Sequence, residues 1–395
     1  MLFFSIILHI RHFLYDKGIR KSYKTDVKSI CVGNIGVGGT GKTPMTELII
    51  RTLQDGSKDK DDGYLPLEGG LFDIPGESIA VLSRGYRRKT KGFQQVRTEG
   101  TSEQFGDEPL QIKRKFPSVT VAVDADRVRG CKFLSNPEQI GKEKTPAPVA
   151  DPYFPAADVI ILDDAMQYRR IRADKNIMLT TYDRPFFKDT LLPLGRLRDL
   201  KSRACRADMI VITKCPQYLD EWQKSKWAAK VGLRLFDINK HVGTNSRGRT
   251  QILLFATTIY DNLLPVFPEG NPRYAHSKSA IMFSGIADDT LLERHLGESY
   301  RLVSHIKFQD HHFFSQSDVS GIDSIAKKYP TALVVTTEKD AQRMRDAVAM
   351  GADANSSRTK FTVSENLRTR MFYAPIRTMM LSETEDRIFK DFILD

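Results

Sequence analysis

The stretch VGNIGVGGTGKTP, residues 32–44, decides how this chain is read. Six of its thirteen residues are glycine or proline, and it lies between an apolar run at 30–32 and an amphipathic run at 45–53. Gly36, Gly41, Lys42 and Thr43 fit the G-x-x-x-x-G-K-[ST] spacing of a phosphate-cradling loop. Glycines let successive backbone N–H groups turn toward one anion, and the helix that follows points its positive dipole end at the same place. On this reading Gly36, Val37, Gly38, Gly39, Thr40 and Gly41 wrap the phosphates of a nucleotide. Lys42 reaches the β- and γ-phosphates, and the Thr43 hydroxyl takes one position on Mg2+. The competing reading is a chance glycine-rich turn, and the strand-before, helix-after context speaks against it.

Two further strand exits carry polar residues. In ADVIILDDAMQYRR an apolar run ends in Asp163 and Asp164, which is how an acidic residue reaches a metal beside a phosphate loop. Neighbouring side chains on extended backbone point to opposite faces, so one of the two should see the metal, and the residues leave open which. In SIAVLSRGYRRKT a buried strand at 79–82 releases Ser83 and Arg84 at its carboxyl end, where open α/β sheets bind ligands. Arg84 is read as an anion contact; Arg87 and Arg88 are read as facing solvent. Gly-, Asp- and Pro-rich segments at 55–77 and 142–155 read as long loops, the first without an assigned function.

A chain of 395 residues, 41% hydrophobic and 28% charged, is globular and too long for one ordinary core. Apolar runs alternating with helical stretches predict an α/β, P-loop NTPase-like fold. Cys31, Cys131, Cys205 and Cys215 have neither C-x-x-C spacing nor a zinc pattern, which points to a reducing compartment. A formal charge of +11 implies an anionic partner. No nucleic-acid module, heptad run, metal cluster or internal repeat is evident, and neither nucleic acid nor an obligate protein partner is expected.

The N-terminus narrows the choice of anion. MLFFSIILHIRHFLYDKGIRKSYK has an apolar stretch of only about nine residues before Arg11, too short for a span of about 20. At helical spacing Phe3, Ile6, Ile7, Ile10, Phe13 and Leu14 share one face, with Ser5, His9, His12 and Asp16 on the other. Arg11, Lys17, Arg20, Lys21 and Lys24 flank it, as in a helix lying in an anionic membrane surface. A secretory signal would place its positive residues first, and a helix packed on the protein's own core is the competing reading.

GNIGVGGTGKTP, SRGY, GDEP at 106–109, DDAMQYRR, LLPLGRLRD at 191–199, FQDHHFF at 308–314 and TTEKDAQRM at 336–344 follow one another in an order that resembles the tetraacyldisaccharide 4'-kinases. Nearly the whole chain takes part. The resemblance implies two α/β/α lobes around a cleft and transfer of the ATP γ-phosphate, with Mg2+, to a lipid A precursor, tetraacyldisaccharide 1-phosphate. It implies action at the cytoplasmic face of the inner membrane of Gram-negative bacteria. Carried over residue by residue, Asp107 matches the family's catalytic carboxylate and His311 its partner, with His312 unassigned. Gln167, Arg196 and Arg198 match motif positions suited to substrate binding, and Arg127 in VDADRVRG is a further candidate for that duty. Two departures concern local geometry: DDAMQ stands where the family often has DDGFQ, and GRLRD where it has GRLRE.

The expected division is a membrane-associated helix over 1–24, a nucleotide-binding lobe over 25–174 and a second lobe over 175–395. Strands at MIVITK, QILLFATTI, AIMFSGI and ALVVTTE are placed in that second lobe, and TTEKD is read mainly as structural. A regulatory NTPase acting on a protein partner would also explain the phosphate loop and the Asp pair. It leaves LPLGRLRD, DHH and the N-terminal helix without a role.

Overall fold

A computed structural model of the chain describes residues 2–58, 78–142, 154–310, 312–352 and 361–395. His311 and most of the two loop-like segments, residues 59–77 and 143–153, lie outside the described residues. The chain forms two compact units, one made of Met1–Gly100, Gln104–Thr258 and Thr378–Asp395, the other of Thr101–Glu103 and Ile259–Arg377.

The first unit is built on a parallel sheet. Its central strands are β1 (Lys28–Gly33), β2 (Ile79–Ser83), β3 (Thr120–Val123), β4 (Val159–Asp163), β5 (Lys175–Thr181), β6 (Met209–Thr213) and β7 (Thr250–Tyr260), in the spatial order β3-β2-β4-β1-β5-β6-β7. These strands are near-continuous apolar runs because both faces are covered, as parallel sheets require. Ile30 and Val32 enter one core with Met45, Ile49 and Leu53, while Cys31, between them, enters another with Ala80 and Leu162. All four cysteines are free, and burial pushes the thiols of Cys31, Cys131 and Cys215 up to about 12.

This topology corrects the expected boundary near residue 175. β5, β6 and β7 pair onward from β1, so MIVITK and QILLFATTI extend the first sheet, and the chain changes unit near 259. The second unit has its own sheet. Strands β8 (Ser279–Ser284), β9 (Arg301–Lys307), β10 (Leu333–Thr337) and β11 (Met371–Ala374) are parallel in the order β9-β8-β10-β11.

Five helices carry or support the polar residues singled out in the sequence: α1 (Leu2–Asp16), α2 (Lys42–Lys58), α3 (Asp107–Lys115), α4 (Glu338–Ala352) and α5 (Glu383–Leu394). Helix α2 runs through Lys58, past Asp55 where a loop was expected to begin. Asp340, in the first turn of α4, accepts from Gly285 N at 2.9 Å, Thr337 Oγ1 at 2.7 Å and Arg343 Nη1 at 2.9 Å, a buried structural role for the TTEKD stretch.

Helix α5 returns the chain to the first unit, where the fully buried Glu385 accepts from Lys224 Nζ at 3.1 Å and from Phe255 N at 3.0 Å. Glu385→Ala would leave a buried ammonium and a buried amide without that partner. It is expected to cost about 3 kcal/mol, lowering the thermal midpoint by roughly 4–5 °C in calorimetry. A shift below about 2 °C would contradict this role.

Candidate active site

The phosphate loop, residues 34–41, connects the end of β1 to the start of α2 at Lys42. Gly38 and Gly41 have φ of 117° and 81°, which side-chain-bearing residues rarely adopt. Met45 N donates to Gly41 O at 3.0 Å, closing the first helical turn, and Pro44 is tolerated because first-turn N–H groups have no intrahelical acceptor. The loop is held from both sides. Asn34 Nδ2 donates to Thr40 Oγ1 at 2.8 Å, and the buried Thr213 at the end of β6 donates through Oγ1 to Thr40 O at 2.9 Å. Residues 196–199 run alongside, with Val37 N donating to Arg196 O and Arg198 N to Ile35 O, both at 2.8 Å.

Strand β4 pairs directly with β1, bringing Asp163 opposite Val32 just before the loop. The two carboxylates have opposite surroundings. Asp164, at φ 50°, accepts from Arg198 Nη2 at 2.9 Å and faces Lys42 Nζ at 3.8 Å. Burial works to raise its pKa, but Lys42 and Arg198 outweigh it and the group is held below the usual range. Asp163 is buried, and burial, reinforced by the Asp164 charge, pushes it up to about 6. Its Oδ1 has no hydrogen-bond partner, although the Ser83 side chain bonds to the same carboxylate. A divalent cation suits that orphaned anionic oxygen, with the buried Thr43 at the first turn of α2 as a second oxygen donor.

Asp107 is half-buried at the first position of α3. Its placement depends on two glycines in two motifs. A Cβ on Gly106 would lie 3.2 Å from Tyr86 O, and one on Gly85 would lie 3.0 Å from Phe105 O, so SRGY and GDEP pack backbone against backbone. Glu108 is close enough to Asp163 to contribute to its raised pKa, which places this helix start in the electrostatic range of the metal-binding candidate.

The remaining residues separate by role. Arg84 and Arg196 are exposed. Arg127 is buried, stacks over Tyr168 at 5.3 Å and leaves its Nε without a partner; burial and Arg84 lower its pKa against the pull of Asp164 and Asp163. Gln167 donates through Nε2 to Asn34 O. Arg198 is a support of the loop, donating from Nε to Gly36 O at 3.0 Å and from Nη2 to Asn34 Oδ1 at 2.8 Å. Arg88, read as solvent-facing, is half-buried and donates to Val123 O at 3.2 Å and Gly92 O at 2.5 Å, because the Gly85 turn directs it inward. His312 bonds Asp318 Oδ2 at 2.9 Å and stacks on Phe308 at 4.7 Å, a structural histidine in the FQDHHFF stretch. Asn34 and Thr213 were not singled out from the sequence. Asn34 stood inside the motif, whereas nothing local marked Thr213.

Residues 1–60 and 71–383 match the family model described as tetraacyldisaccharide-1-P 4'-kinase. The chain belongs to this family. A tetraacyldisaccharide 4'-kinase of Parabacteroides distasonis is 37% identical over 350 residues, covering 87% of this chain and 82% of that protein. One from Porphyromonas gingivalis is 34% identical, covering 99% and 94%. A crystal structure of LpxK from Aquifex aeolicus in complex with ATP shares the fold at a TM-score of 0.61 and 22% identity, covering 99% of this chain and 96% of that one.

Proposed function

We propose that this chain transfers the γ-phosphoryl group of ATP to the 4'-hydroxyl of tetraacyldisaccharide 1-phosphate, the lipid A precursor, at the cytoplasmic face of the inner membrane. The observation that supports this best is the conjunction of a built phosphate loop, a carboxylate pair with one orphaned oxygen and a third carboxylate on α3, in a member of this kinase family. Lys42 and the amides at the start of α2 hold the phosphates. Asp107 accepts the proton of the attacking hydroxyl as its oxygen bonds to the γ-phosphorus. The bond from that phosphorus to the bridging oxygen breaks, and ADP leaves. Asp164, already engaged by Lys42 and Arg198, keeps the lysine aimed along the loop. Asp163 and Thr43 would hold Mg2+, which when bound neutralises phosphate charge. Arg127 and Arg84, within electrostatic range of each other, suit the acceptor's phosphate. The role of His311 rests on the family resemblance alone.

Helix α1 is oriented for a membrane surface. Ile6, Ile7, Ile10 and Phe13 are 45–55% exposed, while His12 is buried. Asp16 accepts from Arg169 Nη2 at 2.7 Å and also pairs with Arg206; although burial opposes it, these cations bring its carboxyl down to about 2. Leu8 and His12 turn inward while Ile6, Ile7, Ile10 and Phe13 leave an exposed apolar strip, which a helix packed only on its own protein's core would not present to water. Lys17, Arg20, Lys21 and Lys24 follow as exposed cations. Among the described residues no helix is long and apolar enough to cross a membrane.

Two measurements test this reading. ADP release should rise at least about tenfold when the acceptor lipid is added; release indifferent to the lipid would favour the regulatory NTPase instead. Ile7→Asp with Ile10→Asp should reduce co-sedimentation with phosphatidylglycerol vesicles by more than about tenfold and leave ATP binding unchanged. Undiminished co-sedimentation would remove α1 as the membrane contact.

A further inference from the structure

Helix α1 reaches the phosphate loop through two polar bridges. In the first, His12, 5% exposed, places Nε2 2.6 Å from Asp199 Oδ1, and its Nδ1 lies 3.2 Å from Arg169 Nη1. Arginine only donates, so Nδ1 accepts and Nε2 carries the proton given to Asp199. Asp199 is 2% exposed and adjoins Arg198. The backbone amides of both donate to Ile35 O, and the Arg198 guanidinium holds Gly36 O, Asn34 Oδ1 and Asp164. In the second bridge, Arg11 Nη2 donates to Gln167 O at 2.6 Å, and Gln167 Nε2 donates to Asn34 O. Asn34 in turn fixes Thr40.

A helix needed only as an anchor has no reason to end its buried contacts on the two segments that hold the loop. We propose that His12 is a positioning residue of the nucleotide site, setting the phosphate loop through Asp199 and the segment 196–199, with Arg11 giving parallel support through Gln167. The membrane helix is then also a strut of the ATP site. The inference rests on the kinase reading only in taking residues 34–43 as the nucleotide site.

Losing the donor leaves Asp199 buried with one fewer partner beside Arg198, and that strain falls on Ile35 and Gly36. The test is equilibrium binding of a fluorescent ATP analogue to the full chain without lipid, alongside co-sedimentation with phosphatidylglycerol vesicles. His12→Ala should weaken nucleotide binding about tenfold and change co-sedimentation less than about twofold, because the exposed apolar face is intact. His12→Gln, which keeps an N–H near the Nε2 position, should recover most of the loss. Arg11→Met, on the second bridge, should weaken nucleotide binding about threefold and keeps the inference testable should His12→Ala fail to fold. Wild-type nucleotide affinity in both His12→Ala and Arg11→Met, or a loss confined to vesicle binding, would overturn it. Failure of the wild-type chain to bind the analogue would instead overturn the nucleotide-site reading on which it stands.

Discussion

Asp163→Asn is expected to remove phosphoryl transfer and, at the same time, to make the nucleotide-free protein more stable. The carboxylate is buried, has one oxygen without a hydrogen-bond partner, and is raised from 3.8 to about 6 by burial and by Asp164. A group whose folded pKa lies above its unfolded value contributes stability in full below the unfolded value, and that contribution is lost as pH rises through the folded one. At pH 7 the ionised Asp163 therefore weighs against the fold, by on the order of 1–3 kcal/mol. Asparagine has nearly the same shape and no charge. Its stabilising effect should be present at pH 7, shrink as pH falls through about 6, and be gone near pH 4. Transfer should fall at least about a thousandfold, because the anionic oxygen suited to the cation is lost. Thermal unfolding in chelator, paired with a transfer assay, reads both. A variant that is inactive and less stable at pH 7 would mean that Asp163 is a structural carboxylate.

Asp107→Asn should lower kcat by about 10²–10⁴ and leave nucleotide affinity within about twofold. The substitution keeps size and hydrogen-bonding shape but removes the ability to accept the hydroxyl proton. Asp107 sits at the first position of α3, so losing its charge also forfeits an interaction with the helix dipole worth about 0.3–1 kcal/mol. That small cost predicts a thermal midpoint within a few degrees of wild type. Single-turnover transfer measures the chemical step. A fall in nucleotide affinity with kcat preserved would make Asp107 a residue of the ATP site rather than the base.

The glycine-rich turn from strand to helix was readable in the sequence because its requirement is local: glycines where φ must be positive, then Lys42 and Thr43 at the start of a helix. The carboxylate pair was readable for the same reason, but the division of labour within it was not. Lys42 and Arg198 approach Asp164 from elsewhere in the chain, and only the fold shows that they leave an oxygen of Asp163 orphaned. The unit boundary escaped because the strands Met209–Thr213 and Ser279–Ser284 are equally apolar, and strand composition does not say which sheet a strand joins.

Helix α1 gives the sharpest lesson. Its amphipathic spacing was plain, yet periodicity alone does not say which residues meet the rest of the protein, and the partners that hold it, Arg169, Asp199 and Arg206, lie more than 150 positions away. Arg198 matched a motif position suited to substrate, whereas its guanidinium contacts Gly36, Asn34 and Asp164. Motif matching shows that a side chain matters, and the contacts show what it holds.

The most direct measurement follows radiolabelled γ-phosphate from ATP with magnesium in mixed micelles, with and without tetraacyldisaccharide 1-phosphate, and locates the label in the product. Label on the 4' position of the lipid, absent with Asp107→Asn, is the expected result. Label released only as free phosphate, at a rate indifferent to the lipid, would contradict the kinase reading and leave a nucleotide hydrolase in its place.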